Sequence, residues 1–252
     1  MSFAVAADAY DRFMGRYSAP LAPRFADFAG VERGQRALDI GCGPGALTGE
    51  LVARLGAEAV AAVDPSEPFV IAARERHRGV DVRLAAAEEL PFSDGAFDVA
   101  LAQLVVHFMA DPIGSLGEMA RVIRRGGAVV ACVWDHGGGR GPLSLFWSAV
   151  RQIDPGAQDE SELAGARTGH LAELFKAAGL HDVSDTELTV QVHHARFDDW
   201  WEPFTLGVGP AGAYLAGLDV VKRKELKERC KELAPVAPFT VEAIAWAARG
   251  QT

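Results

Sequence analysis

The chain predicts an α/β fold: a doubly wound, mostly parallel seven-stranded sheet with helices on both faces. Three observations carry that expectation. Apolar runs alternate with helical stretches at close, regular intervals from residue 37 to 134, the pattern of right-handed βαβ units. The runs themselves are continuously apolar, as in strands covered on both faces. And Ala37–Ile40 passes through the glycines of Gly41–Gly45 straight into a helical pattern over Ala46–Leu55, with Leu47, Leu51, Val52 and Leu55 on its apolar positions.

The remaining elements follow in order. Residues 3–16, with Phe3, Tyr10, Phe13 and Met14, suit a short amphipathic helix, and Leu21, Phe25 and Phe28 mark a second one after Pro20 that stops near Gly30. Ala59–Val63 is a strand ending at Asp64, Ser66–Arg78 a helix, Val80–Leu84 a short strand and Phe97–Leu101 another. Ile113–Ile123 is a helix, and Gly126-Gly127 turns into the strand Ala128–Trp134. Residues 135–145 hold four glycines and a proline and read as a mobile loop before a helix at Leu145–Ile153. Thr168 is expected to cap a helix over Leu171–Ala178 that stops at Gly179. Val183–Ala195 and Phe239–Ala247 alternate as strands, with a helical insertion between them carrying Trp200, Trp201 and Phe204. These two strands would add an antiparallel C-terminal edge to the sheet.

No linker, repeat or low-complexity block divides the chain, so residues 1–252 are expected to form a single domain. Its parts would be cap helices at 1–30, a ligand-binding core at 36–134, a loop and helix at 135–165, a helical insertion at 197–235 and a last strand at 238–248. Lys and Arg number 25 against 34 Asp and Glu, a formal charge of −9 with no basic run, which argues against a nucleic-acid partner. The three cysteines, Cys42, Cys132 and Cys230, are far apart and odd in number, and read as buried thiols; no Cys/His cluster suggests a metal. With neither a leader pattern nor an apolar run of membrane-spanning length, a cytoplasmic protein is expected. Oligomeric state is left open.

A strand that runs through a glycine turn into a helix leaves backbone N–H groups at the helix start, where the dipole also favours an anionic group. Gly41-x-Gly43-x-Gly45 departs from the dinucleotide fingerprint, because its third glycine comes one residue early. Asp64, nineteen residues after Gly45, ends the next strand, where a carboxylate can accept from both hydroxyls of a ribose; the alternative is a helix cap before Pro65-Ser66.

The chain resembles the class I S-adenosylmethionine-dependent methyltransferases, closest to the small-molecule branch that includes ubiquinone and menaquinone biosynthesis enzymes. The resemblance covers residues 36–134. It rests on Leu38-Asp39-Ile40-Gly41-Cys42-Gly43-Pro44-Gly45, Val63-Asp64-Pro65-Ser66, Glu88-Glu89-Leu90-Pro91-Phe92, Phe97-Asp98-Val99 and Arg121-Val122-Ile123-Arg124-Arg125-Gly126-Gly127. It implies a Rossmann-like fold, S-adenosylmethionine as cofactor and S-adenosylhomocysteine as product. Gly41, Gly43 and Gly45, with Cys42 among them, would admit the cofactor to the backbone, and Asp39 would lie near its methionine part. Asp64, followed by Pro65, would hold the ribose. Phe69 is either an adenine wall or a core aromatic, and Ala87 and Glu88 would meet the adenine edge. Ala86 stands where relatives often have Asp, so an acidic adenine contact is missing. Gln103 would lie beside the methyl group, with His107 a few residues on.

Methyl transfer needs alignment of nucleophile, methyl and sulfur, and a base if the nucleophile must lose a proton. His107 and His136 are the candidates, each with a packed or exposed structural role as alternative; His193 and His194 read as structural. By resemblance, Tyr10–Tyr17 would cap the cofactor, with Arg16 or Tyr17 on its carboxylate, and Trp200, Trp201 and Phe204 would form a lid over an apolar acceptor. The alternatives are a surface helix and an ordinary aromatic core. The expected function is in-line methyl transfer to a small, neutral or apolar acceptor. A nicotinamide-dependent oxidoreductase is opposed by the early third glycine and by the absence of Tyr-x-x-x-Lys, since Leu218 follows Tyr214 at that spacing. A non-catalytic S-adenosylmethionine-binding module is the third reading.

Overall fold

The structure, a computed structural model, describes residues 7–252. The expected start of the first helix at residue 3 lies outside the described residues. Helix α1 (Ala7–Tyr10) continues through a π-turn (Asp11–Gly15) into α2 (Arg16–Ala29). Pro20 and Pro23 lie inside α2, which therefore begins earlier than expected. An internal proline removes a helical hydrogen bond at a cost of roughly 3 kcal/mol. Tertiary packing offsets it: Tyr17, Leu21 and Phe25, one turn apart, are all buried against the sheet. Gly30 closes the helix in the left-handed conformation at φ 68°, as expected.

The βαβ half comprises β1 (Ala37–Ile40), α3 (Ala46–Leu55), β2 (Val60–Asp64), α4 (Glu67–Arg76), β3 (Asp81–Leu84), β4 (Phe97–Gln103), α5 (Pro112–Val122) and β5 (Ile123–Trp134). The order is β3-β2-β1-β4-β5-β7-β6, with the first five strands parallel. β1 and β2 are buried throughout, which is why their sequences are continuously apolar. Gly126-Gly127 forms an irregularity inside β5 rather than a turn before it: Phe97 pairs with Ile123, but Val99 pairs with Ala128. A Cβ on Gly127 would come within 2.5 Å of the Asp98 carbonyl, so only glycine fits that close approach.

In the second half come α6 (Ser144–Ile153), α7 (His170–Ala177), β6 (His181–His194), α8 (Phe197–Trp201), a 3-10 turn (Glu202–Leu206), α9 (Gly209–Gly217), α10 (Val220–Leu233) and β7 (Phe239–Gln251). β7 is antiparallel to both neighbours, as expected of the last strand, but it lies inside β6, which takes the edge. Gly169, not Thr168, occupies the cap position of α7, because the backbone there is left-handed at φ 75°. The helical insertion is broken where Pro203, Gly207-Val208-Gly209-Pro210 and the Asp219 cap interrupt it.

The glycine-rich stretch after β5 is pinned rather than mobile. Asp135 is fully buried and accepts from Gly138 N at 2.8 Å and from Arg140 Nε at 2.5 Å. Arg140 also pairs with Glu187 of β6, and its carbonyl accepts from Ile244 N of β7. Asp135 thus ties the loop to the last two strands. Asp135→Ala is expected to destabilise the fold by about 2–3 kcal/mol, since charge-assisted bonds to a buried carboxylate are lost. Urea unfolding checks this, and a loss below 0.5 kcal/mol on the same scale would mean that the loop holds itself.

Candidate active site

The strand order reverses direction between β1 and β4, so the loops after these strands diverge and leave a crevice at their carboxyl ends. A cavity of about 320 Å³ lies there. Gly41 and Gly43 form its floor, Asp64, Pro65 and Phe69 one side, Ala86–Glu88 another, and Val105, Phe108 and Met109 the far side; Tyr10 covers it. Of the residues expected at the site, Gly41, Gly43, Asp64, Pro65, Phe69, Ala87 and Glu88 are therefore brought together.

Gly41, Gly43 and Gly45 have φ of 66°, 54° and 99°, a run of left-handed turns that L-residues adopt only with strain. A Cβ on Gly41 would sit 2.5 Å from Val105 Cγ1 and one on Gly45 2.5 Å from His77 Nε2. His77 Nε2 lies 2.9 Å from the Gly45 carbonyl and supports the turn from beneath. The decisive contact is at Asp64. Its Oδ2 accepts from Gly43 N at 2.8 Å and its Oδ1 from Ser66 N at 2.8 Å, so one buried carboxylate joins the loops after β1 and β2. Ser66, not Asp64, takes the cap position of α4. Burial raises the pKa of Asp64 and the two N–H donors oppose that rise.

Asp39 and Gly45 lie behind the cavity rather than on it, and Cys42, a buried thiol, turns away beside Gly43. Asp39 Oδ2 accepts from Thr48 Oγ1 at 2.6 Å, fastening α3 to β1, while its Oδ1 is buried without a partner. Burial lifts Asp39 to about 7, with the bond from Thr48 opposing the rise and Asp64 adding to it. Glu88 spends one oxygen on Ala110 N at 3.0 Å.

Two expectations are corrected. Arg16 and Tyr17 are not at the cavity. Arg16 donates Nε to the Phe13 carbonyl (3.1 Å), Nη1 to Asp199 O (2.9 Å) and Nη2 to Trp200 O (3.1 Å). Tyr17 is buried, with its hydroxyl 3.3 Å from His194 Nε2. Because the helical run continues through the π-turn into α2, Tyr17 faces the sheet, and it is Tyr10 that reaches the cavity, its ring edge-on to Phe69 at 5.3 Å. Tyr10 was visible in the sequence only as part of the cap. Trp200, Trp201 and Phe204 do not line the cavity either: they pack with Phe13, Phe146 and Trp147 in a separate aromatic core.

Gln103 ends β4 and donates Nε2 to Ser18 O at 3.2 Å, with its Oε1 buried and unpartnered. His107 and His136, on the loops after β4 and β5, lie together with ring centroids 5.8 Å apart. His107 is buried, its Nδ1 has no partner, and it sits between cavity-lining Val105 and Phe108 without lining the cavity itself. Burial holds its pKa well below the ordinary histidine value, and burial brings His136 down to about 4. Both rings are neutral at neutral pH. No cluster of three or more potential metal ligands occurs among the described residues, and no helix there is long and apolar enough to cross a membrane.

Residues 38–131 match the family model described as a methyltransferase domain. Among curated proteins, the chain is 39% identical over 111 residues to the ubiquinone/menaquinone biosynthesis C-methyltransferase of Idiomarina loihiensis, covering 41% of this chain and 44% of that one. It is 37% identical over 135 residues to an uncharacterised methyltransferase of Mycobacterium tuberculosis, covering 54% and 52%. The chain spans about half or less of the length of these curated relatives. Among solved structures, the YcgJ protein of Bacillus subtilis superposes with a TM-score of 0.59 at 17% identity, over 92% of this chain and 98% of that one. The sheet order, with its crevice at the carboxyl ends of β1 and β4, is that of a Rossmann-like fold. Residues 38–131 thus match a methyltransferase domain on a Rossmann-like sheet, and the chain is similar over about half its length to curated methyltransferases.

A group whose folded pKa lies above its unfolded value favours folding at acid pH and opposes it as pH rises through that folded value. With Asp39 raised to about 7, Asp39→Asn should therefore increase the thermal midpoint more at pH 8 than at pH 5. Equal changes at the two pH values would mean that Asp39 ionises as an ordinary surface carboxyl.

Proposed function

We propose that the cavity over Gly41–Gly45 holds S-adenosylmethionine and that the chain transfers its methyl group to a small, neutral or apolar acceptor. The observation that carries this is the Asp64 carboxylate, set at the end of β2 within a cavity that also exposes the glycine turn and Ala86–Glu88. Each Asp64 oxygen accepts one backbone N–H, which leaves each a lone pair for a ribose hydroxyl. Phe69 and Tyr10 offer an apolar slot for a purine, bounded by Ala87 and Glu88. The absence of side chains on Gly41 and Gly43 leaves room for the amino-acid end of the ligand, and the unpartnered Asp39 Oδ1 lies behind that turn as a source of negative potential. The residues present thus fit the cofactor. Cys42, Gly45 and Pro65 shape the loops rather than touch the ligand by side-chain chemistry.

Bound there, the cofactor supplies a methyl group on a positively charged sulfur, already activated for displacement. The protein's task is then alignment and exclusion of water. Val105, Phe108 and Met109 close the cavity with apolar surface on the β4 side. His107, neutral and with a free ring nitrogen, is the group that would take a proton from an acceptor hydroxyl, amine or acidic carbon. His136 beside it would share that proton. Gln103 would orient the acceptor or the methyl group through its unpartnered Oε1. The acidic overall charge favours an uncharged small molecule over a nucleic acid. On this reading residues 1–252 act as one domain in the cytoplasm.

Calorimetry with S-adenosylmethionine, S-adenosylhomocysteine and NAD tests the cofactor assignment. Both adenosyl ligands should bind and NAD should not. Asp64→Ala should weaken adenosyl binding at least tenfold, in line with the roughly 1.5–3 kcal/mol of hydrogen bonds to a charged group. NAD binding without a response to either adenosyl ligand would sink the proposal.

A further inference from the structure

One helical segment reaches both the cavity and the aromatic insertion. At its start Tyr10 covers the cavity against Phe69. Asp11 pairs with Arg76 at 2.6 Å, and Arg76 also donates to the Pro44 carbonyl of the glycine loop at 3.3 Å. One turn on, Phe13 is buried in the aromatic core of the insertion, edge-on to Phe204 at 5.1 Å. Arg16 then holds the carbonyls of Asp199 and Trp200, at the end of α8, with two nitrogens of one guanidinium. The final carbonyls of a helix have no partner within it, so this planar fork satisfies groups that would otherwise face water or stay unpaired. Farther along, the Ser18 carbonyl is tied to Gln103 and Tyr17 to His194. Cavity cover, insertion and strand ends therefore share a continuous helix, interrupted only by the π-turn Asp11–Gly15.

We infer that Arg16 is a positioning residue that couples the cofactor cavity to the helical insertion: occupancy of the cavity, felt through Tyr10 and Phe13, stabilises residues 197–206. The inference rests on the cofactor reading above. Asp11 and Arg76 fix one end of the strap to the glycine loop, and Arg16 fixes the other to the insertion. A ligand that favours the docked position of Tyr10 by contact then also favours the docked position of α8, since Tyr10 lies on the same helical run as Phe13 and Arg16, which contact the insertion.

Hydrogen exchange of the full chain with and without S-adenosylhomocysteine, in the absence of any acceptor, tests this. In the wild type, exchange should slow at residues 41–45 and 64–69, at 7–18, and by about fivefold or more at 197–206. In Arg16→Ala the cavity segments should still be protected by the ligand, while the ligand-dependent change at 197–206 is lost. Arg16→Lys, which keeps the charge but not the fork, should restore only part of it. A merely structural arginine would instead raise exchange at 197–206 equally with and without ligand. Protection confined to the cavity and residues 7–15 in the wild type overturns the coupling while leaving the cofactor assignment intact. So does ligand-induced protection of the insertion that survives both substitutions. No protection at residues 41–45 and 64–69 overturns the cofactor assignment and the coupling with it.

Discussion

The hydrogen bonds from Gly43 and Ser66 to the Asp64 carboxylate are the constraint on which the site depends. Parallel strands β1 and β2 end side by side, and the loops that leave them lead into α3 and α4, which pack on the same face of the sheet. Nothing in strand pairing holds those loops together beyond the last ladder bond. One carboxylate with two acceptor oxygens does, and it can do so because the glycine at 43 takes a left-handed φ of 54° that aims its N–H at the neighbouring strand end. The same geometry leaves acceptor capacity on both oxygens. A group that closes the fold locally is thus also the one best placed to read a diol.

Around that centre, apolar packing is divided among distinct faces. α2 covers one face of the sheet with Tyr17, Leu21 and Phe25 over Leu101, Val130 and Cys132. α5 and α7 cover the other with Leu116, Met119, Leu171 and Phe175. The insertion builds its own aromatic core with α6, and Phe13 of the first helical segment enters it, with Ala9, Tyr10 and Met14 packed against it. Because that segment belongs to the α2 layer at one end and touches the insertion core at the other, it is the mechanical link between them. The two prolines inside α2 are tolerable for the same reason: burial against the sheet, rather than helix propensity, holds that helix in place.

Legibility in the sequence tracks how local the causes are. The strand Ala37–Ile40 and the helix Ala46–Leu55 are read at their exact bounds, since an apolar run and a 3.6-residue period are both properties of adjacent residues. Asp64, Ala87 and Glu88 are legible because motif order carries them to the ends of successive strands. Arg16 and Tyr17 were misplaced because whether the helix continues through Pro20 is decided by distant packing, and a helix that starts earlier rotates different residues toward the cavity. The mobility expected of the glycines at 137–141 failed for a similar reason: Asp135 and Arg140 anchor them to β6 and β7, strands that lie far off in sequence. The aromatic stripe Trp200, Trp201 and Phe204 looks alike as pocket wall and as core, and only the positions of Phe13 and Phe146 decide for core.

The electrostatics of His107 and His136 bear on how such a site would work. Two imidazoles have ring centroids 5.8 Å apart and their basicity suppressed by burial, a fall that the Asp159 and Asp135 carboxylates oppose at His136. A catalyst that had to stabilise a developing anion would be poorly served by buried, neutral rings with carboxylates nearby. Displacement at a sulfonium makes the opposite demand. Its positive charge is dispersed and then annulled as the methyl group leaves, so an apolar enclosure favours the product-like arrangement over the charged starting one. Under the proposed function, a neutral histidine beside Val105, Phe108 and Met109 adds a proton acceptor without adding a charge that would stabilise or repel the sulfonium. The burial that lowers the basicity of His107 is therefore the same burial that would make the transfer favourable, and the site trades strength of base for exclusion of water.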